Sequence, residues 1–462
     1  MPVAILTTMK ATKLRRAAAM AVLAVLISTL YAAAPAAGAT DHYPTVTPQP
    51  TAYQVRLAGD ETGAQWHGRE QIVVRNSARA ALDTIWLRLW GNGMDGCATP
   101  ANVTVSAFDG GTPGPLAAGC TALPVRLKRA LPPGATTVVA FDVSIRTPAR
   151  ADRFGRVGAY SFLGNALPVL AVRDERGWQL PPYVPNAESF YSLTSSFLVT
   201  LDHPDGVAVP ATGTVVAESH HGGRTVTRIA APLVRDFAWA AGPFRSATAR
   251  TATGVRLRTW YTPEVTPETA LSVQGDVARA MEFATREYGA YPYPEMDTVI
   301  GGFEGFSGME YPTLVLTEPA ALPAVHEAAH QWWYALVGND EYHHPWLDEA
   351  LTHYTTTKIL GIPGYCAGAP FWFSDGMRID AGMDYYADHP DEYAAGVYGD
   401  GACMFHELEA LIGADAMRTG LRRYLSEQRF GIARPAELRS ALQSATTVDL
   451  TGFWERWRNT AA

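Results

Sequence analysis

The stretch "VHEAAHQWWYALVG", Val325 to Gly338, decides how the second half of this chain is read. His326 and His330 stand four residues apart, and on a helix that spacing sets one a turn above the other on the same face. Both imidazoles can then reach one ion. Glu327, beside the first histidine, projects toward the open side of that ion, where it can take a proton from a bound water. The same spacing also serves an ordinary buried amphipathic helix, so the reading turns on a third ligand.

Downstream, "HHPWLDEALTHY" (His343 to Tyr354) supplies a carboxylate near a helix start: Glu349, nineteen positions after His330. A helix end, a loop and a new helix start fit that interval, which lets Glu349 return to the first helix across a packing contact. Two histidines and a glutamate make a three-ligand zinc site with the fourth position left for water. Around this set, His343 and His344 are expected to be solvated in the loop before Pro345. His353, one turn after Glu349, either steadies a ligand or simply packs. Asp348 either orients an imidazole or favours the helix macrodipole. "EGFSGM" (Glu304 to Met309) resembles a nucleophile elbow around Ser307, but Met309 stands where that motif needs glycine.

The chain around this site has 462 residues, 47% hydrophobic and 18% charged, enough apolar material for two sizeable cores. Lys10, Lys13, Arg15 and Arg16 precede the uncharged run "AAAMAVLAVLISTLYAAAPAAGA", which ends in a small-x-small site, Ala37-Gly38-Ala39. This pattern predicts an export signal over residues 1–39, with a retained membrane anchor as the alternative. The Arg15-Arg16 pair leaves Sec and twin-arginine export both open. The leader carries four of the 37 basic residues and none of the 45 acids, so removing it takes the formal charge from −8 to −12. So acidic a protein is a poor partner for nucleic acid or anionic membrane. No stable membrane partner is expected unless the leader is retained. Four cysteines suit an extracytoplasmic, secreted chain; of three pairings, Cys97 with Cys120 and Cys366 with Cys403 is preferred as the local one.

Period-two alternation runs from about 50 to 250, as in "REQIVVRN" (Arg69 to Asn76), "TTVVAFDVSI" (Thr136 to Ile145) and "SSFLVTLDHP" (Ser195 to Pro204). Gly and Pro turns punctuate it, and the region reads as all-β. Helical spacing takes over after Pro263 and Pro267, with Thr266 as a cap and Gly289 as a stop. "MDTVIGGF" and "PTLVLTE" then read as strands. A further helix is expected from Pro345 to Gly361, and another from about Gly401 to Tyr424.

His326-Glu327-x-x-His330 followed by Glu349 at this interval resembles the aminopeptidase N type of gluzincin zinc metallopeptidases. Gly308-Met309-Glu310 resembles that family's Gly-x-Met-Glu-Asn strand, whose glutamate holds the substrate's free α-amine. Tyr398, in "VYGDGACMFHELEALIG", resembles the tyrosine that donates to the tetrahedral intermediate. "GWQLPPYVPNAESFYSLTSSFLVTLDHP" and "VRDFAWAAGPF" are similar to pieces of the family's saddle-shaped β domain. The resemblance implies an all-β saddle-like domain over 40–250 and an α+β, thermolysin-like catalytic domain over 251–462. It implies one zinc ion on His326, His330 and Glu349, with Glu327 as general base and Tyr398 as oxyanion donor. Gly308, Met309 and Glu310 would bind the amino end of a peptide substrate. An endopeptidase or oligopeptidase using the same chemistry is the alternative within enzymes; a non-catalytic scaffold is the alternative outside them, against which the complete residue set counts. Three departures stand out: Tyr311 in place of Asn, Asp400 where Lys is usual, and an end at Ala462 without the family's helical C-terminal domain, from which a more open cleft is expected. Glu188 reads as part of a structural segment.

Overall fold

Where the sequence alternates, the chain of this computed structural model is sheet. The described residues are 48–460 apart from 363 and 375, so the expected leader lies outside them. Seven strands form the largest sheet: β1 (Pro48–Gly59), β2 (Gln65–Asn76), β3 (Val103–Asp109), β4 (Thr136–Arg146), β5 (Ser195–Pro204), β6 (Thr214–His221) and β7 (Arg224–Val234), in the order β6-β7-β5-β1-β2-β4-β3. Val139, Phe141, Val143 and Ile145, each two residues from the next, are all buried on one face of β4. A four-stranded sheet that includes Leu82–Arg88 and Ala122–Leu131 contributes Ile85, Leu87 and Val125 to the same core. The Cys97–Cys120 disulfide forms in this region.

The second region is built on five strands: β8 (Arg245–Arg250), β9 (Arg256–Tyr261), β10 (Glu295–Ile300), β11 (Gly308–Met309) and β12 (Leu314–Thr317), in the order β8-β9-β10-β12-β11. All of β8's pairing is to β9, so this sheet begins a few residues before the expected boundary at 250. Helix α1 (Pro267–Glu287) links β9 to the parallel β10. Its start follows the sequence signals: Thr269 N–H donates to the Thr266 hydroxyl at 3.2 Å, with Pro267 in the first turn. Ala270, Val273, Val277, Met281 and Ala284, at helical spacing, make its buried face.

Helix α2 (Ala321–Ala329) carries the histidine motif, and α3 (Trp346–Leu360) stops at Gly361 with φ 62°. The single helix expected over 401–424 is two: α4 (Gly401–Ile412) and α5 (Ala414–Gln428), broken at Gly413, whose φ of 89° no helix accommodates. Cys366–Cys403 is the second disulfide, as the local pairing required. The two regions are tied by buried polar contacts: Arg235 Nε donates to the Tyr334 carbonyl at 2.7 Å, and the Tyr293 hydroxyl donates to that of Leu233 at 2.6 Å. No helix among the described residues is long and apolar enough to cross a membrane.

Candidate metal centre

Helix α2 ends at Ala329, one residue before the second histidine, yet His330 N–H still donates to the His326 carbonyl at 3.1 Å. That last turn is enough to bring the two imidazoles together edge to face, with their Nε2 atoms 3.0 Å apart. Glu349, in the first turn of α3, brings Oε2 to 3.1 Å from the His326 Nε2 and 3.2 Å from that of His330. All three residues are buried. Each ring's other nitrogen has a neighbour. His330 Nδ1 lies 3.0 Å from the Trp333 carbonyl oxygen and 3.0 Å from the Thr352 hydroxyl, which puts its proton there and turns the Nε2 lone pair to the meeting point. His326 Nδ1 lies 3.4 Å from the Nδ1 of His353, so His353 packs against a candidate ligand.

This donor set fits a zinc ion. Ligands at about 2.0–2.1 Å around a tetrahedral centre stand roughly 3.3 Å from one another, close to the separations here. The electrostatics agree. Burial raises the Glu349 pKa, but His330 and His326 outweigh it and hold the carboxyl below the usual range. Burial lowers His330, but Glu310 and Glu349 hold it well above its ordinary value, so the cluster favours positive charge at this point.

Three further side chains reach the same place. The Tyr398 hydroxyl donates to the other oxygen of Glu349, Oε1, at 2.6 Å, and its ring lies against His326. It sits in a π-helical segment, Ala394–Asp400, a widened turn of the kind found at functional sites. Glu327 Oε2 and Glu310 Oε1 are buried without hydrogen-bond partners, and burial drives both pKa values well above the carboxylate range. Glu310 follows β11, the edge strand of its sheet, and the Glu327 carboxylate lies directly on Gly308. A Cβ at Gly308 would collide with it, which explains a glycine at that position. Met309 is fully buried, with its sulfur 3.1 Å from Arg153 Nη1.

Gly308, Glu310, His326, Glu327, His330, Glu349 and Tyr398 line one cleft of about 490 Å³, together with Arg153, Glu188, Tyr183 and Tyr393; the buried Met309, expected at the site, does not line it. Glu188, read from sequence as structural, faces this cleft and pairs with the buried Arg153. No local signal marks Arg153: it is one of four arginines between 146 and 156, none in a motif, and only the fold brings it to Met309. His344 is not solvated as expected: it is half-buried with a buried Nδ1 that lacks a partner, whereas His343 keeps 34% of its side chain exposed and sets Nδ1 2.7 Å from Asp340. Asp348 accepts from Asn339 Nδ2 at 2.9 Å, so neither ligand imidazole depends on it for a hydrogen bond. Of the departures, the Tyr311 hydroxyl donates to Asn165 Oδ1 at 2.8 Å, and Asp400 accepts the backbone N–H of Phe371.

Comparison with known proteins agrees with this geometry. Residues 274–457 match the family model described as the Peptidase family M1 domain. The aminopeptidase N of Lactobacillus delbrueckii subsp. lactis is 28% identical over 310 residues, which take in 59% of this chain and 36% of the relative. That of Lactobacillus helveticus is 28% identical over 313 residues, with the same shares covered. The chain thus spans about a third of the length of these curated relatives. An M1 zinc metallopeptidase from Deinococcus radiodurans shares the fold, with a TM-score of 0.68 at 17% identity over 90% of this chain and 95% of that one.

Proposed function

We propose that this chain, whose residues 274–457 match the peptidase family M1 domain, is a zinc-dependent aminopeptidase that releases amino-terminal residues from peptides. The observation that carries this reading is the meeting of His326, His330 and Glu349 beside two buried carboxylates, Glu327 and Glu310, each with an oxygen that no protein donor satisfies.

His326, His330 and Glu349 would hold one zinc ion, and zinc so held supplies Lewis acidity, polarising a carbonyl and bringing a water's pKa toward neutrality. Glu327 takes a proton from the attacking water on its unpartnered Oε2 and delivers a proton to the departing amine. The Tyr398 hydroxyl, held on Glu349, turns to the carbonyl oxygen of the scissile bond as that oxygen gains charge. Glu310 pairs with the substrate's ammonium at the buried end of the cleft, and a blocked amino end leaves that carboxylate unpaired. Gly308 and Met309 set the strand that carries it. Export out of the cytoplasm is part of the same reading, supported by two disulfides that persist in oxidising compartments.

Comparing an aminoacyl fluorogenic substrate with its N-acetylated twin tests the amino-end part of this reading. Turnover of the free form should exceed that of the blocked form by at least ~100-fold, because a buried carboxylate left without its cation is costly. Equal turnover would remove Glu310 from this role and leave an endopeptidase.

A further inference from the structure

Tyr393 lines the cleft, yet its side chain is buried, 5% exposed, and its hydroxyl is enclosed without a well-formed hydrogen bond. Other buried tyrosines of this region find acceptors: Tyr386 donates to the Arg378 carbonyl at 3.0 Å, and Tyr354 to Glu409 Oε2 at 2.9 Å. Packing alone does not call for the Tyr393 hydroxyl. Its ring meets those of Tyr386 and Tyr398 edge to face, with centroids 5.2 and 5.7 Å away, and a phenylalanine makes the same contacts without enclosing a polar atom.

The backbone explains how the two cleft tyrosines meet. Tyr393 ends the short helix Pro390–Tyr393, and Tyr398 stands five residues on, inside the π-helical segment Ala394–Asp400. On an α-helix five residues run about 140° past a full turn, which puts such a pair on different faces. Widening to i→i+5 bonding, as in Gly401 N–H to the Gly396 carbonyl, brings residues five apart close to one face. Burial and then the Glu349 charge raise the Tyr393 pKa well above the ordinary phenol value, against a smaller downward pull from the Tyr398 hydroxyl beside it. Tyr393 is therefore a neutral donor next to the Tyr398 oxygen. That oxygen spends its own proton on Glu349 Oε1 and has lone pairs free to accept.

We propose that Tyr393 positions Tyr398: its hydroxyl donates to the Tyr398 oxygen as that group turns from Glu349 to the scissile carbonyl, which fixes the turned group and strengthens the hydrogen bond it gives. The proposal rests on the role given above to Tyr398. Tyr393 itself touches no reacting atom and acts only through its neighbour.

The test measures kcat and KM on an aminoacyl fluorogenic substrate for the zinc-loaded full chain, for Tyr393→Phe, for Tyr398→Phe and for the double variant. Tyr393→Phe is expected to lower kcat about tenfold, with KM and zinc content little changed. Its melting temperature should equal or exceed that of the wild type, since an unsatisfied polar atom leaves the interior. In the Tyr398→Phe background the same substitution should move kcat by less than about twofold, because the group it serves has gone. A packing role predicts the reverse, a lower melting temperature with kcat kept, and that result overturns the proposal. So does a tenfold loss repeated in the Tyr398→Phe background, or one carried by KM. Tyr398→Phe at the wild-type kcat removes the role of Tyr398 and this proposal with it; a slowed Tyr398→Phe beside a normal Tyr393→Phe sinks the positioning role alone.

Discussion

Two sets of buried acids in the catalytic region are treated in opposite ways. On β10, Asp297 receives Arg258 on both oxygens at 2.9 and 3.1 Å and the Trp260 ring N–H at 3.2 Å, while Glu295 forms ion pairs with Arg256 and, at 2.6 Å, with Arg258. In the cleft, Glu310 and Glu327 are just as buried, yet each keeps an oxygen without a donor. Burying an unsatisfied carboxylate is among the most expensive things a fold can do. The β10 acids hold a sheet together: the Asp297 oxygens accept hydrogen bonds, and the Glu295 charge is met by two arginines although neither of its oxygens accepts a well-formed hydrogen bond. The cleft acids are kept at the expense of stability for partners that arrive with the reaction.

If that contrast is right, substitutions in the two places separate activity from stability. The largest effect is expected from Glu327→Gln, which keeps the shape and removes the base. Its kcat should fall by about 10³–10⁴-fold, with zinc content by metal analysis unchanged and a melting temperature equal to or above wild type. Loss of metal, or near-normal turnover with metal retained, would break the comparison at its strongest point. Tyr398→Phe comes next. Removing a hydroxyl that turns from Glu349 to the scissile carbonyl as charge develops should cost about 10²-fold in kcat with KM little changed. A matching rise in KM would make Tyr398 a binding group.

The other arm of the comparison reads in stability. Asp297→Ala takes a bidentate partner from Arg258, and the resulting loss is expected at about 1–3 kcal/mol in a denaturant titration. Activity per folded molecule should hold. A variant that stays as stable as wild type would show that the β10 pairs are not what balances those charges.

Much of this was legible in the sequence because it depends on short-range spacing. The period-two runs became β2, β4 and β5, and Pro267 and Gly361 mark where helices begin and end. The candidate ligands could be read because four residues make one helical turn and because Glu349 follows within the next helix start. What could not be read depends on distant parts of the chain. Arg153 and Glu188 come to the cleft from the β-rich region, and nothing beside them in sequence says so. The break at Gly413 was missed because apolar spacing runs on through it, and a glycine within a helical pattern is ordinarily tolerated. His344 misled because a polar residue just before a proline looks like part of a solvated loop. Tertiary packing from α3 and the β-rich region, including Arg176 paired with Asp340, closes over that loop instead.

His344 gives the smallest effect and the finest test, since it is a titratable group held without a partner but outside the cleft. Burial lowers its pKa to about 4, against a smaller upward pull from Asp340. Unfolded, the ring titrates near 6.5. Between those values the unfolded chain binds a proton that the folded chain refuses, so the stability contributed by the neutral ring is complete above about pH 6.5 and drains away as pH falls toward 4. His344→Gln removes the titration while keeping a polar side chain of similar reach. Going from pH 7 to pH 4.5, the wild type should therefore lose about 2–4 °C more in melting temperature than the variant. Parallel slopes would mean that this ring is protonated or solvated in the folded protein, and that an orphaned polar atom next to α3 carries no cost outside the cleft.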